Sequence, residues 1–283
     1  MLTFYHPKAA ACQKNWGRET TEYIDREIRY FDSQSSLHNA HFSPNGRQLI
    51  TASTDGVARI WDLSGRKIAI LRGHEAGVTD AKFSPDSRQI VTVSRDGTAR
   101  IWNLSGQQVA ILQGDRKIFR ANFSPDGKYI LTQLQGHIAY IWNLSGQQVA
   151  VLQGHIGEVT NISFSPDGRY ILTASKDKTV RIWNLSGKQL DILRGHEGEV
   201  TDAKFSPDGR YILTASKDKT VRIWNLSEKQ LDILRGHEGE VTDAKFSPDG
   251  QYILTSSEDK TVRLLNCVVK FSERQRAEGR RQK

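Results

Sequence analysis

Residues 205–245 read FSPDGRYILTASKDKTVRIWNLSEKQLDILRGHEGEVTDAK, and the preceding 41 residues, 164–204, differ from them at one position. That position is Gly187 in the first copy and Glu228 in the second. Six of the seven prolines in the chain follow the same Phe-Ser pair, at spacings of 40 or 41 residues. A fixed period of this length indicates a repeat architecture in which each repeat is one supersecondary unit.

Within one unit, short runs of apolar and β-branched residues end at turn residues. Pro207 and Gly209 are typical of a tight turn, because proline fixes φ and glycine tolerates a positive φ. Val221 and Ile223 alternate with polar neighbours, which is the pattern of a half-buried strand. Four short antiparallel strands fill a unit and leave no room for a helix. The sequence therefore predicts an all-β propeller built from four-stranded antiparallel blades.

The repeats do not account for the whole length of the chain. Dividing 283 residues by 41 gives about 6.9, yet only six units can be read, from Leu37 to Leu265. We favour six blades, and a seventh, degenerate or incomplete blade remains the alternative. The domain prediction is an N-terminal segment over residues 1–36, the propeller over 37–269 and a basic tail, expected to be disordered, over 270–283.

Three features of each unit carry a family resemblance. The Gly-His dipeptide, the Ser-x-Asp turn and the Trp-Asn or Trp-Asp pair ending the third strand resemble WD40 repeats. Only Trp61-Asp62 keeps the family dipeptide. The near-identical tandem copies also resemble bacterial WD-repeat proteins. The resemblance implies a ring closed by pairing a strand from one terminus into the blade at the other, for which residues 27–31 and 266–271 have suitable alternation.

Four residue types recur at fixed offsets in three units. The sets are His74, Ser94, Asp96 and Trp102; His155, Ser175, Asp177 and Trp183; and His196, Ser216, Asp218 and Trp224. In the family that the chain resembles, the four form a buried hydrogen-bond chain linking Trp, Ser, His and Asp. A hydrolase triad is disfavoured, because a catalytic constellation occurs once in a site whereas this set is repeated.

Other units keep only part of the set. Ser33 stands where the first unit would have histidine, and Leu265 replaces the tryptophan of the sixth. In the third unit, Asp115, Leu134 and Gly136 replace histidine, serine and aspartate. Because fewer hydrogen bonds can form there, we expect the third blade to be the least cooperatively held.

The third unit is also where a partner site is most plausible, since positions common to all units serve the fold. The resemblance places its variant segments on the end of the ring that commonly binds partners. The candidate partner-binding residues are Arg95, Lys117, Phe119, Arg120 and Gln135. An exposed aromatic flanked by basic groups suits an interface hot spot. Drift in a decaying repeat and a small-ligand site remain open alternatives.

Composition excludes several other classes of protein. The sequence has no window of eighteen apolar residues that could span a membrane. Residues 1–20 lack a basic region followed by an apolar core, so we expect no signal peptide there. Cys12 and Cys267 are read as reduced thiols of a cytoplasmic protein. Half of the formal charge of +8 comes from residues 270–283, so nucleic acid is a disfavoured partner. No metal, cofactor or phosphate-loop motif occurs.

These observations predict a non-catalytic protein–protein interaction scaffold or recognition module, acting as a monomeric propeller without a cofactor. Two alternatives are kept. One is the recognition part of a larger bacterial signalling ATPase or kinase system. The other is a weak nucleic-acid or anionic-surface binder that uses the basic residues and the tail, for which steep salt dependence would be diagnostic.

Overall fold

The computed structural model describes residues 35–226 and 230–267. They form 23 β-strands in six antiparallel sheets, five with four strands and one with three. Within each sheet the strands are hydrogen-bonded in chain order. The sheets coincide with the six repeats and are named blades 1 to 6. The predicted fold class, an all-β propeller with four-stranded antiparallel blades, is confirmed.

The strand boundaries repeat from blade to blade. Blades 1 and 2 contain β1 Leu37–Phe42, β2 Gln48–Ser53, β3 Val57–Asp62, β4 Lys67–Arg72, β5 Val78–Phe83, β6 Gln89–Ser94, β7 Ala99–Asn103 and β8 Gln108–Leu112. Blades 3 and 4 contain β9 Ile118–Phe123, β10 Tyr129–Leu134, β11 Ile138–Asn143, β12 Gln148–Gln153, β13 Val159–Phe164, β14 Tyr170–Ser175, β15 Val180–Asn184 and β16 Gln189–Leu193. Blades 5 and 6 contain β17 Val200–Phe205, β18 Tyr211–Ser216, β19 Val221–Asn225, β20 Gln230–Leu234, β21 Val241–Phe246, β22 Tyr252–Ser257 and β23 Val262–Asn266.

The Phe-Ser-Pro-Asp-Gly segment forms the turn between the first and second strands. In blade 5, the Ser206 hydroxyl accepts the backbone N–H of Tyr211 at 2.9 Å and donates to the Asp208 carboxylate. Gly209 has a φ of +72°, the left-handed conformation that glycine adopts without a steric penalty. The recurring prolines therefore mark turns that connect the first two strands of a blade, as predicted.

Five apolar cores join successive blades. Each combines residues from the second and third strands of one blade with residues from the first and second strands of the next. The repeat tryptophan packs into the core that its blade shares with the preceding one, as Trp224 does between blades 4 and 5. Because each core belongs to two blades, loops of adjacent blades are held in fixed register on a shared end of the propeller.

Among the described residues, blade 6 has no fourth strand, and β23 is the outermost described strand of its sheet. Val262 and Leu264 on β23 are 65% and 66% exposed, whereas their counterparts in blade 5, Val221 and Ile223, are 1% and 2% exposed. An uncovered apolar edge is a site for strand pairing. The closing strands predicted over residues 27–31 and 266–271 lie outside the described residues, except that residue 266 ends β23 and Cys267 is buried.

Candidate functional site

Blades 2, 4 and 5 keep all four recurring residue types and are called the complete blades. A hydrogen-bond network lies in the interior of each. In blade 5, the Trp224 indole donates to Thr214 Oγ1 at 2.9 Å, and the same oxygen lies 2.7 Å from His196 Nε2. His196 Nδ1 lies 2.7 Å from the Asp218 carboxylate. The order of contact is therefore tryptophan, threonine, histidine and aspartate.

The other complete blades repeat this arrangement. Trp102 and Trp183 donate to Thr92 and Thr173 at 2.8 and 2.9 Å. Each histidine pairs with its threonine at 2.7 Å and with its aspartate at 2.7–2.8 Å, and the pairs are His74 with Asp96 and His155 with Asp177. Both histidine side chains are fully shielded from solvent. Buried partners of this kind serve the fold, because no substrate atom can reach them.

The serine of each set has a different role from the one expected. The prediction placed Ser94, Ser175 and Ser216 between tryptophan and histidine, and this part of it is wrong. Their hydroxyls instead accept the backbone N–H of the turn aspartate at 3.1 Å. Both side chains lie on the same face of the second strand, but the threonine is nearer to the tryptophan. The tryptophan pairs across the sheet with the isoleucine two residues before the threonine, whereas the serine lies at the end of the strand, four residues from that isoleucine.

Burial and hydrogen bonding set the charge states in this network. Burial lowers the pKa of His74 and His155, although their hydrogen bonds to Asp96 and Asp177 oppose the change. Burial would raise the pKa of Asp96, but hydrogen bonds from Thr98 and His74 outweigh it and hold this pKa at about 2. A neutral histidine that donates Nδ1–H to an ionised aspartate is consistent with both directions.

Blade 3 replaces part of the lost network with another hydrogen bond. Tyr140 donates its hydroxyl hydrogen to Asp115 Oδ1 at 2.6 Å, where the complete blades pair histidine with aspartate. Trp142 still donates to Thr132 at 2.8 Å and meets the Tyr140 ring edge-on. The lower cooperativity of this blade stays a prediction, to be tested by comparing amide hydrogen exchange in blades 3 and 5.

In blade 3, the Gln133 side chain provides the hydrogen bond to the next blade that a threonine hydroxyl provides in blades 4 and 5. In blades 4 and 5, Thr160 and Thr201 donate to the carbonyl that opens the next blade, at Val200 and Val241, over 2.6 Å. Phe119 has no hydroxyl for this bond. The corresponding carbonyl in blade 4, at Val159, accepts instead from Gln133 Nε2 at 2.7 Å. Position 119 is thereby relieved of a structural role.

Three of the five predicted partner-binding residues meet in one cleft between blades 2 and 3. The cleft has a volume of about 340 Å³. It is lined by Thr79, Ser94, Arg95, Gly97, Lys117, Ile118 and Phe119. Phe119 is 47% exposed, a high value for a large aromatic side chain. We call this the first cleft.

Gln135 lies in a neighbouring cleft that shares Gly97 and Lys117 with the first. This second cleft also has a volume of about 340 Å³. It is lined by Asp96, Gly97, Thr98, Gln113, Gly114, Asp115, Arg116, Lys117 and Gln135. The Gln135 backbone N–H donates to the Lys117 carbonyl at 2.8 Å, so the turn of blade 3 and its entry loop are joined.

Arg120 lines neither cleft. It is exposed on β9 at the position where blades 2, 5 and 6 carry Asp80, Asp202 and Asp243. In blades 2 and 5 the aspartate binds a lysine two residues later, as Asp80 does with Lys82 at 2.9 Å. Blade 3 has Asn122 in place of that lysine, and Lys82 of blade 2 donates to it at 2.8 Å. Arg120 therefore adds positive charge near the clefts without sharing their lining.

Residues missed in the sequence strengthen the same surface. Glu197 and Glu238 occupy the loop position after the histidine in blades 5 and 6, whereas blades 3 and 4 carry Arg116 and Ile156 there. Arg116 lines the second cleft, and Ile156 is 90% exposed. Both residues depart from the glutamate that follows the histidine in blades 2, 5 and 6, so a comparison of this position across the units would have revealed them.

Over residues 35–226 and 230–267, no group of three or more His, Cys, Asp or Glu side chains is arranged to hold a metal ion. In the same ranges, no helix has the length and apolar character needed to cross a membrane.

Comparison with known proteins agrees with the repeat pattern. The family model described as "IFT122 first beta-propeller" matches residues 32–266. The chain is similar to the WD repeat-containing protein slr1409 of Synechocystis sp., with 44% identity over 45 residues. That match covers 16% of this chain and 13% of the relative's length, so it relates a single repeat rather than two whole proteins.

Proposed function

We propose that this chain, which belongs to the WD40-type β-propeller family described as "IFT122 first beta-propeller", is a non-catalytic protein-interaction module that binds a partner across blades 2 and 3. Propellers of WD-repeat proteins generally act as protein-interaction modules. The observation that carries the proposal is the exposure of Phe119 in a cleft that it shares with Arg95 and Lys117.

The energetics of interfaces support this choice of site. Binding energy concentrates in a few aromatic and basic anchors surrounded by contacts that exclude water. Covering a half-exposed phenylalanine removes apolar surface from water, and truncating such an anchor typically costs about 2 kcal/mol or more of binding free energy. The rigid blades hold Phe119 and Arg95 in place beforehand, which reduces the entropy lost on binding.

A catalytic role is disfavoured by the placement of the polar groups. The histidine–aspartate pairs are buried and occur in four blades, at His74, His155, His196 and His237. The clefts of blades 2 and 3 bring basic and aromatic groups together. The Thr98 hydroxyl in the second cleft donates to Asp96 at 2.8 Å, but this carboxylate also binds His74 and accepts the backbone N–H groups of Glu75 and Thr98. Asp96 is thereby committed to the turn and to the histidine, which disfavours a role as general base.

Two alternative functions can be distinguished from this one by experiment. The module could serve as the recognition part of a larger bacterial signalling ATPase or kinase system, and the partner would then be such a protein. It could also bind nucleic acid or an anionic surface through its basic residues. The second alternative predicts that log Kd rises steeply with log salt concentration and that removing Phe119 has little effect.

The proposal is tested by affinity capture from extracts of the source cells, followed by mass spectrometry and by Kd measurements on the recovered partner. Phe119→Ala and Arg95→Ala should each weaken binding about tenfold or more. Lys217→Ala, at the position of Arg95 in blade 5, is the matched control and should bind normally. If both cleft variants bind every partner with unchanged affinity, the proposed site is wrong.

A further inference from the structure

Resting on the proposed function, we infer that the partner presents an acidic peptide segment in which an apolar side chain is flanked by aspartate or glutamate. The apolar side chain packs on Phe119 in the first cleft. The carboxylates bind Arg95 and Lys117 there and Arg116 in the second cleft. The inference comes from comparing the charges of this surface with those of the other blades.

The corresponding lysines of blades 4 and 5 are neutralised within the propeller. Lys176 Nζ lies 2.5 Å from the Glu158 carboxylate. Lys217 Nζ lies 3.2 Å from Glu199 of its own blade and 3.6 Å from Glu240 of the next. Because these ions already have partners, an incoming carboxylate would have to displace an existing ion pair in order to bind there.

Arg95 occupies the same turn position but lacks both partners. The two glutamate positions around it hold Gly77 in its own blade and Lys117 in the next. Within the part of the chain that the structure describes, neither Arg95 nor Lys117 forms an ion pair. The substitution of Lys117 for glutamate thus removes one negative charge and adds a positive charge beside an arginine.

The carboxylates near the clefts are engaged elsewhere. Asp96 pairs with His74 at 2.8 Å and also accepts from the Thr98 hydroxyl at 2.8 Å. Asp115 accepts from Tyr140, and its distance to the Arg116 guanidinium is 3.9 Å, the outer limit of an ion pair. Arg95, Lys117 and Arg116 therefore keep most of their hydrogen-bond donors available for anionic groups of a partner.

The geometry holds these cations close together. The turn at Gly97 lies against the Lys117 stem, since a Cβ added at Gly97 would come 3.1 Å from Lys117 Cγ. The Ile118 backbone N–H also donates to the Gly97 carbonyl at 3.0 Å. Lys117 sits where the two clefts meet, so one extended peptide can place an apolar side chain on Phe119 and a carboxylate on either side of Lys117.

Two compensating hydrogen bonds in blade 3 argue against random divergence of this repeat. Gln133 supplies the hydrogen bond that a threonine at position 119 would have made, and Tyr140 supplies one for Asp115. The interior is thus kept bonded while exposed positions 116, 117 and 119 carry Arg, Lys and Phe, where blade 5 has Glu197, Glu199 and Thr201. Gln135, in place of the turn lysine, is a change in the opposite direction. An acidic partner complements this charge, and complementary charge also accelerates association.

The test selects a random twelve-residue peptide library, displayed on phage, against the full chain. The same library is selected in parallel against Arg95→Glu/Lys117→Glu and against the control Lys176→Glu/Lys217→Glu. Peptides from the unaltered chain should be rich in Asp and Glu around one aromatic or aliphatic residue. A synthetic enriched peptide should lose at least tenfold in affinity with the first variant and less than threefold with the control.

Unchanged thermal midpoints establish that the exposed substitutions leave the fold intact. The inference is overturned if enriched peptides lack an acidic excess, or if the Arg95→Glu/Lys117→Glu variant binds them equally well. Tighter binding of a twelve-nucleotide single-stranded DNA through the same cations would also overturn it. The proposed function is independent of these outcomes. It still holds if Phe119→Ala abolishes peptide or partner binding, and it fails if Phe119→Ala affects neither.

Discussion

Trp224 donates its indole hydrogen to Thr214 Oγ1 at 2.9 Å, and the same threonine oxygen lies 2.7 Å from His196 Nε2. One hydroxyl thus satisfies two buried polar groups. We expect Thr214→Val to lower the free energy of unfolding by about 2–4 kcal/mol, because each stranded partner costs roughly 1–3 kcal/mol. Urea denaturation of the variant and the unaltered chain measures the difference.

Other blades provide graded controls for this substitution. Thr132 in blade 3 accepts from Trp142, and blade 3 has no histidine at the equivalent site. Thr255 in blade 6 pairs with His237, and Leu265 stands in place of tryptophan. Thr132→Val and Thr255→Val should each cost about half as much as Thr214→Val. Equal losses at all three positions would contradict a central role for the threonine.

Much of the fold was predictable from the repeat because turns and strand alternation are local properties. The position of Pro207 and Gly209 located a turn that the structure contains. The link through Thr214 was not predicted, because spacing shows which residues recur but not which side chains meet across strands. The pairing of Gln133 with Val159 also escaped, since a compensating bond depends on contacts between blades.

The candidate site was predicted only in part, because the sequence shows which residues depart from the repeat but not which of them meet in space. Phe119 and Arg95 depart from the repeat and were recognisable as such. Whether they share a cleft depends on how adjacent blades pack, and the structure places them together while leaving Arg120 outside. Among the described residues Arg95 has no ion-pair partner, and this follows from two neighbouring loops, one of which belongs to the next blade.

The tyrosine of blade 3 should titrate at unusually high pH. Its hydrogen bond to Asp115 raises the pKa of Tyr140 from 10.0 to about 12. The stabilisation from this bond is present below pH 10 and is lost as the pH rises through about 12. The difference in tyrosinate absorbance between the unaltered chain and Tyr140→Phe should reveal this titration, and Asp115→Ala should move it back towards 10. A Tyr140 transition near 10 in the unaltered chain would argue against the bond.

Acid should weaken blades 2 and 4 through their buried histidines, His74 and His155. Burial lowers the pKa of His155 below its ordinary 6.5, so the unfolded chain takes up the proton first as the pH falls. The stabilisation is present above pH 6.5 and is lost as the pH falls through the lower value of the folded state. His155→Asn should therefore reduce the pH dependence of the unfolding free energy between pH 7 and 5, by at most about 1.4 kcal/mol per pH unit. His38→Asn, at an exposed histidine, is the control, and an equal reduction there would count against the assignment.

The junction between blades 5 and 6 should show the opposite dependence on pH. Asp202 is 4% exposed, and burial followed by its hydrogen bond with Asp243 raises its pKa from 3.8 to about 6, although Lys204 lies 2.6 Å away. Its contribution to stability is present below pH 3.8 and is lost as the pH rises through about 6. Asp202→Asn should therefore raise the unfolding free energy at pH 8 by about 1–2 kcal/mol relative to the unaltered chain and give no gain at pH 4.

Asp80 provides the matched control for this substitution, because it occupies the same position in blade 2. It accepts from Asn39 at 3.0 Å and pairs with Lys82 at 2.9 Å, and its side chain is more exposed than that of Asp202. Asp80→Asn should give no gain in stability at pH 8, since its carboxylate is well partnered. Denaturant titrations at both pH values separate the cases. A loss of stability in Asp202→Asn at pH 8 would mean that the Lys204 ion pair outweighs the cost of burying the carboxylate.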